Sequence, residues 1–152
     1  MQIRPATIDD LPRLVELGRA MHAESPRYRR LTYAGDKVRR TLGTLIRSSS
    51  GFVAVAEDGG QIVGALAGYA DEEWHSHEIV AHDLGVFVEP TARGAAVASM
   101  LIARFRAWAA EAGAAFGTLG VSTGIEPERT AALYANLGLQ PVGPIFEFVT
   151  EG

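Results

Sequence analysis

Apolar residues repeat along this chain with two different periods. Gln2-Ile3-Arg4 reads as a short strand, and Pro5 ends its pairing. From about Asp9 to His22 the period is helical: Leu11, Leu14, Val15, Gly18 and Met21 fall on one face. Thr7, Asp9 and Asp10 offer capping side chains, and Pro12 requires the helix to start near Asp9. Val38, Leu42, Leu45 and Ile46 mark a second helix, broken by Ser48-Ser49-Ser50-Gly51. Phe52 to Ala56 and Gln61 to Tyr69 then read as strands. Glu57-Asp58-Gly59-Gly60 between them is a hairpin signal, because glycine takes positive φ without steric cost.

Asp71 to Glu78 is polar and reads as a loop. Ala81 to Val88 is the next strand, closed by Pro90. Val97 to Ala112 carries the strongest helical stripe, Ala98, Leu101, Ile102, Phe105, Trp108 and Ala109, with Gly113 as its stop. Thr118 to Val121 reads as a strand. Glu126-Pro127-Glu128 opens a short helix, with proline suited to the first turn and carboxylates near the positive dipole end. Leu133, Tyr134 and Leu137 share one face of it, and Gly138 ends it. Ile145 to Thr150 reads as a last strand with Phe146 and Phe148 on one side. Strand, helix, helix, three strands, helix, strand, helix, strand is an order that packs as a single mixed α/β sheet flanked by helices.

Composition narrows the function classes. The 152 residues suit one compact domain, and 47% apolar with 21% charged residues is an ordinary globular balance. The absence of cysteine excludes a disulfide scaffold, a thiolate nucleophile and a Cys-ligated zinc site. Met1-Gln2-Ile3-Arg4-Pro5 has no apolar signal core behind it, and no run approaches the roughly 18 apolar residues a bilayer span needs. The expectation is a soluble, cytoplasmic protein without membrane contact. A net charge of -4 and a pI near 5.5 argue against a nucleic-acid partner.

One segment carries a candidate binding site. In the stretch from Val86 to Leu101 a strand ends, a loop of small residues follows, and a long helix begins. Unpaired N–H groups and the helix dipole make such a junction an anion site suited to a pyrophosphate. Small side chains let phosphates approach the backbone, and Arg93 adds a forked cation. The loop alone is equally readable as a tight strand-to-helix connection.

Arg93-Gly94-Ala95-Ala96-Val97-Ala98 resembles the acetyl-CoA signature of the GNAT N-acetyltransferase superfamily: Gln or Arg, two variable residues, Gly, one variable residue, then Gly or Ala. Ala96 stands where the family usually has its first glycine. The preceding Val86-Phe87-Val88-Glu89-Pro90 and the following Met100-Leu101-Ile102 are similar too. So are the opening Ile3-Arg4-Pro5-Ala6-Thr7 with Asp9-Asp10-Leu11, and the late Ala132-Leu133-Tyr134 with Leu137-Gly138-Leu139, where Leu139 replaces phenylalanine. The resemblance covers nearly the whole chain. It implies an α/β (α+β) fold, with a single mixed, mostly antiparallel sheet of six to seven strands flanked by four helices. It also implies transfer of an acetyl group from acetyl-CoA to a primary amine in a ternary complex. The implied coenzyme residues are Val86, Phe87, Val88, Arg93, Gly94, Ala95, Ala96, Val97 and Ala98. Val86 to Val88 would pair their backbone with the pantetheine amides, and the Val88 N–H would be the oxyanion donor. Many relatives dimerise, so a homodimer stays open. The rival reading is a non-catalytic acyl-CoA-binding or regulatory module of the same fold.

Acyl transfer to an amine needs the ammonium deprotonated, the carbonyl oxygen stabilised and a proton for the leaving thiolate. The resemblance places Tyr134 near the coenzyme sulfur as the proton donor; the alternative is a core tyrosine beside Leu133 and Leu137. For the base, some relatives use a glutamate six residues before the last apolar residue of the strand leading into the signature; the resemblance carries that position from Val88 back to His82, which shares a strand face with Leu84, Val86 and Val88 and offers an imidazole as proton acceptor. The alternative is a hydrogen-bonded histidine at a strand end. Asp83 faces the other way unless a bulge, conceivable at Gly85, intervenes. Trp74-His75-Ser76-His77 is read as a solvated loop rather than a metal site, or as lining the acceptor pocket with Asp71, Glu72 and Glu73. Seven of the 14 basic residues (Arg27, Arg29, Arg30, Lys37, Arg39, Arg40 and Arg47) cluster around the second helix and are read as a solvated face. The acidic and basic clusters favour opposite substrates, so charge leaves the acceptor open.

Overall fold

The structure, a computed structural model, describes residues 1–94 and 96–150. Strand β1 (Gln2–Pro5) leads into helix α1 (Leu11–Glu24) and helix α2 (Gly35–Arg47). Three long strands follow, β2 (Gly51–Asp58), β3 (Gln61–Glu72) and β4 (Ile79–Val88). Helix α3 (Val97–Glu111), strand β5 (Phe116–Thr118) and helix α4 (Pro127–Asn136) complete the order. The five strands form one sheet in the order β1-β2-β3-β4-β5, antiparallel throughout except where β5 runs parallel to β4.

Strand β2 shows why this sheet carries helices on both sides. Residues Phe52 to Ala56 are all buried, so the strand reads as a continuous apolar run. Its alternate side chains feed two cores. Phe52, Ala54 and Ala56 pack with Leu101, Ile102 and Phe105 of α3. Val53 and Val55 pack with Leu11, Leu14 and Leu17 of α1. The period of two thus sends neighbouring residues to opposite helical layers. The β2–β3 hairpin turns at Gly59 and Gly60, with φ of 55° and 79°.

The start of α1 is fixed by charge. Asp10 accepts two bonds from Arg4, at 2.8 and 3.0 Å, and one at 2.8 Å from the Thr7 N–H. The Arg4 guanidinium, more than any other neighbour, holds the Asp10 carboxyl below its usual range. The other end of α1 is tied to the far side of the molecule. Ser25, fully buried, donates to the Thr123 carbonyl and accepts from the Tyr28 N–H.

The expectation of six to seven strands is corrected to five among the described residues. Residues 145–150 form no strand: Ile145, Phe146, Phe148 and Val149 are 82, 87, 85 and 77% exposed. Their period is strand-like, but a strand needs a neighbour's backbone, and here the segment is held by Glu147, which pairs with Arg27 and Arg30 at 2.7 Å each. β5 is also shorter and earlier than the Thr118 to Val121 reading, since only Phe116–Thr118 pair with β4. Among the described residues no helix is long and apolar enough to cross a membrane.

Candidate active site

The site begins where two parallel strands part. β5 follows β4 only over Val80–His82, and beyond His82 the strands diverge. The wedge between them is a cleft of 330 Å³. One wall is β4 from Asp83 to Val88. The other is residues 120–123 with the Tyr134 face of α4, and the start of α3 closes the end. Every candidate coenzyme residue among the described ones, Val86, Phe87, Val88, Arg93, Gly94, Ala96, Val97 and Ala98, lines this cleft. Ala95 lies outside the described residues.

A bulge in β4 decides which side chains face the cleft. Against β3, Gly85 stands opposite Ala67 and Asp83 opposite Gly68, so Leu84 is the extra residue. Counting in twos from Val88 is valid only as far as that bulge. Past it the phase inverts, and Asp83, not His82, lines the cleft. His82 instead stands with its Nε2 2.9 Å from the Glu73 carboxylate and its Nδ1 3.2 Å from the Thr118 hydroxyl, its ring beside Tyr69.

Asp83 and Tyr134 meet on the backbone of one residue, Gly120. The Gly120 N–H donates to Asp83 Oδ1 at 3.0 Å, and the Tyr134 hydroxyl donates to the Gly120 carbonyl at 3.0 Å. Tyr134 is 7% exposed and packs into the α3-side core, so it is both a core residue and a cleft residue. Burial raises the Asp83 carboxyl above the ordinary aspartate value, against the Gly120 N–H, which favours the ion. Burial, and then the Asp83 charge, push the Tyr134 phenol well above its usual value, so it keeps its proton at neutral pH.

The loop into α3 takes the backbone shape an anion site needs. Gly94 has φ 92° and Ala96, the N-cap of α3, has φ 32° and ψ 9°. Left-handed geometry favours glycine, which explains why a glycine is usual at the Ala96 position. The first intrahelical bond is donated by Met100 to the Ala96 carbonyl, so the N–H groups of Val97, Ala98 and Ser99 have no partner within the helix.

Arg93 is placed differently from a phosphate clamp. Its guanidinium grips Glu24 at the end of α1 with two bonds, at 2.6 and 2.7 Å. Its Nε donates to the Val88 carbonyl at 2.8 Å, and it lies over the Phe87 ring at 5.3 Å. Glu24 is held below its ordinary value by this partner. Sequence reasoning passed over another cation, Arg129 on α4. It lines the same cleft, its side chain is 59% exposed, and its Nη2 would lie 3.9 Å from a Cβ built on Gly94. Only its place one helical turn before Leu133 could have signalled it.

The histidine loop lies elsewhere. Trp74 to His77 and Asp71 to Glu73 line neither this cleft nor the groove beside α1 and α2. His77 pairs with Glu72 at 3.2 Å. Among the described residues no group of three or more His, Asp or Glu side chains is placed to hold a metal ion.

Comparison with known proteins agrees with this geometry. The chain superposes on AAC(6')-Iy in complex with the bisubstrate analogue CoA-S-monomethyl-acetylneamine, with a TM-score of 0.80 at 17% identity, covering 99% of this chain and 98% of that one. It superposes on a transcriptional regulator from Bacillus halodurans C-125 with a TM-score of 0.77 at 23% identity, covering 98 and 99%. The aminoglycoside 6'-N-acetyltransferase AAC(6')-IG from Acinetobacter haemolyticus gives 0.75 at 19% identity, covering 99% of both chains. These likenesses define the fold. No curated protein sequence matches the chain. A family model described as the acetyltransferase (GNAT) domain matches residues 49–141, and the chain belongs to that family, which makes it an enzyme of the acyltransferase class.

Proposed function

We propose that the protein transfers an acetyl group from acetyl-CoA to a primary amine, directly, with both substrates bound together. The observation that carries this reading is the wedge between β4 and β5. There a strand wall, a helix N-terminus, a half-buried carboxylate and a buried phenol meet in one cleft. The residues fit the coenzyme. The N–H groups of Val97, Ala98 and Ser99, without a partner inside the helix, suit its pyrophosphate, and Arg129 is the cation placed to add charge. The strand wall Val86 to Val88 suits an amide-bearing arm that pairs with a backbone. Arg93 serves this reading indirectly, because it locks the loop to α1 through Glu24.

The coenzyme supplies an activated thioester. This chain's residues manage the protons. Asp83, raised by burial, is the acceptor for the ammonium proton, either directly or through one water. Tyr134 is the donor for the departing thiolate; its proton now rests on the Gly120 carbonyl and has to turn toward the sulfur. With no cysteine in the chain, direct transfer is the economical route. His82 is the less favoured base, because its imidazole stands on Glu73 and Thr118 outside the cleft.

The test is a thermal shift with acetyl-CoA followed by thiol release over an amine panel. Stabilisation by the coenzyme together with amine-dependent release supports the reading. Coenzyme stabilisation with no release on any amine supports the non-catalytic alternative, and no stabilisation overturns coenzyme binding itself.

A further inference from the structure

A second hollow lies on the α1–α2 side of β4. Between α1, α2 and the sheet runs a groove of 410 Å³, within the roughly 300–1,000 Å³ typical of small-ligand sites. Gly85 and Phe87 line both this groove and the coenzyme cleft, so the two hollows adjoin at the β4 bulge, beside Asp83.

The groove is mainly apolar, and among the described residues its one buried side-chain polar atom without a hydrogen-bond partner is His22 Nε2. Its lining is chiefly apolar, from Leu14, Met21, Val38 and Leu42 to Leu31 and Leu84, which are left 68 and 48% exposed. No aspartate or glutamate among the described residues lines it, whereas Lys37 does. Arg19 adds a second cation over the ring of the groove residue Tyr33, at 4.7 Å. The two tyrosine hydroxyls are already engaged: Tyr33 donates to the Val15 carbonyl at 2.7 Å, and Tyr28 lies 2.8 Å from the Ser122 hydroxyl.

We infer that the groove receives the apolar body of the acceptor, and that the acceptor is a monoamine carried on an aliphatic or aromatic group rather than a polycation. The inference rests on the acetyltransferase reading above. A second ammonium in the groove would lose its water, find no carboxylate and face Lys37. An apolar body instead covers Leu31 and Leu84. The single reacting nitrogen then lies toward Gly85, where the bulge sets the Asp83 carboxylate in the adjoining cleft. This selectivity is opposite to that implied by the aminoglycoside substrates in the names of several structural neighbours.

The experiment compares kcat/KM for 2-phenylethylamine and 3-methylbutylamine with that for spermidine and an aminoglycoside, by thiol release at saturating acetyl-CoA. The apolar monoamines should be favoured at least about tenfold, the scale on which apolar pockets discriminate. Leu31→Glu should lower kcat/KM for 2-phenylethylamine about tenfold and raise it for spermidine, with the acetyl-CoA thermal shift unchanged. Leu31→Met keeps the groove apolar and should retain the preference for the apolar monoamines. Preference for the polycations, or indifference of both amine classes to Leu31→Glu, would overturn the inference and leave the acetyltransferase reading standing. Absence of both coenzyme stabilisation and thiol release would bring down the two together.

Discussion

Ala96→Gly tests the turn that opens α3 at the end of the cleft. Ala96 sits at φ 32° and ψ 9° as the N-cap of α3, and it is exposed, so the change removes no packing. An L-residue held in the left-handed region costs about 1–2 kcal/mol relative to the right-handed one. Glycine removes that strain but gives up about 0.5–1 kcal/mol in backbone freedom on folding. The difference is a stabilisation of roughly 0–1.5 kcal/mol. At about 2–4 °C per kcal/mol for a domain of this size, the melting temperature should rise by up to about 6 °C. Ala96→Val is the converse, because a β-branched residue is disfavoured at positive φ, and it should melt lower than the parent. Urea titrations at unchanged slope give the free energies, and scanning fluorimetry with and without acetyl-CoA gives the coenzyme term. Affinity for acetyl-CoA should be kept or improved in Ala96→Gly, since a loop that adopts its shape without strain is better preorganised. A loss of stability in Ala96→Gly, combined with an unaffected Ala96→Val, would refute the left-handed turn and with it this account of the signature.

Four further outcomes follow from the site. Asp83→Asn should lower kcat/KM by about 10²–10⁴ and remove the rising limb of its pH profile, which in the parent lies above the ordinary aspartate value; an unaltered limb would return the base role to His82. The same upward shift means that folded Asp83 holds its proton at pH values where the unfolded chain has lost it, so stability falls as pH rises from the ordinary aspartate value through the folded one, and urea titrations of Asp83→Asn should show that fall removed. Tyr134→Phe should reduce kcat about a hundredfold with little change in coenzyme affinity, and a normal kcat would remove its acid role. Arg129→Ala should raise the Kd for acetyl-CoA with little change in melting temperature, whereas Arg93→Ala should chiefly lower the melting temperature, by breaking the grip on Glu24; the reverse pattern would restore Arg93 as the phosphate ligand.

Local pattern located most of these parts. The stripe of α3, the Gly59-Gly60 hairpin and the small-residue loop before Val97 depend on neighbours a few residues apart, so period and turn chemistry reveal them. Tyr134 was legible for the same reason: its spacing from Leu133 and Leu137 puts it on the buried face of α4. Residues 145–150 carry an equally clear strand pattern and form no strand, because pairing is a property of two segments and not of one.

What the sequence alone determined is therefore the family, the order of elements as far as α4, and the segment that lines one wall of the cleft. What tertiary structure decided is which side chains stand in the cleft. The extra residue at Leu84 exists only through the register of β4 against β3, and that register moves Asp83 into the place counted for His82. The Arg93 guanidinium is held by Glu24, a partner 69 residues away that no local pattern connects to it. Both are consequences of long-range contact, since side-chain direction follows the chain only until another segment imposes its own register or charge.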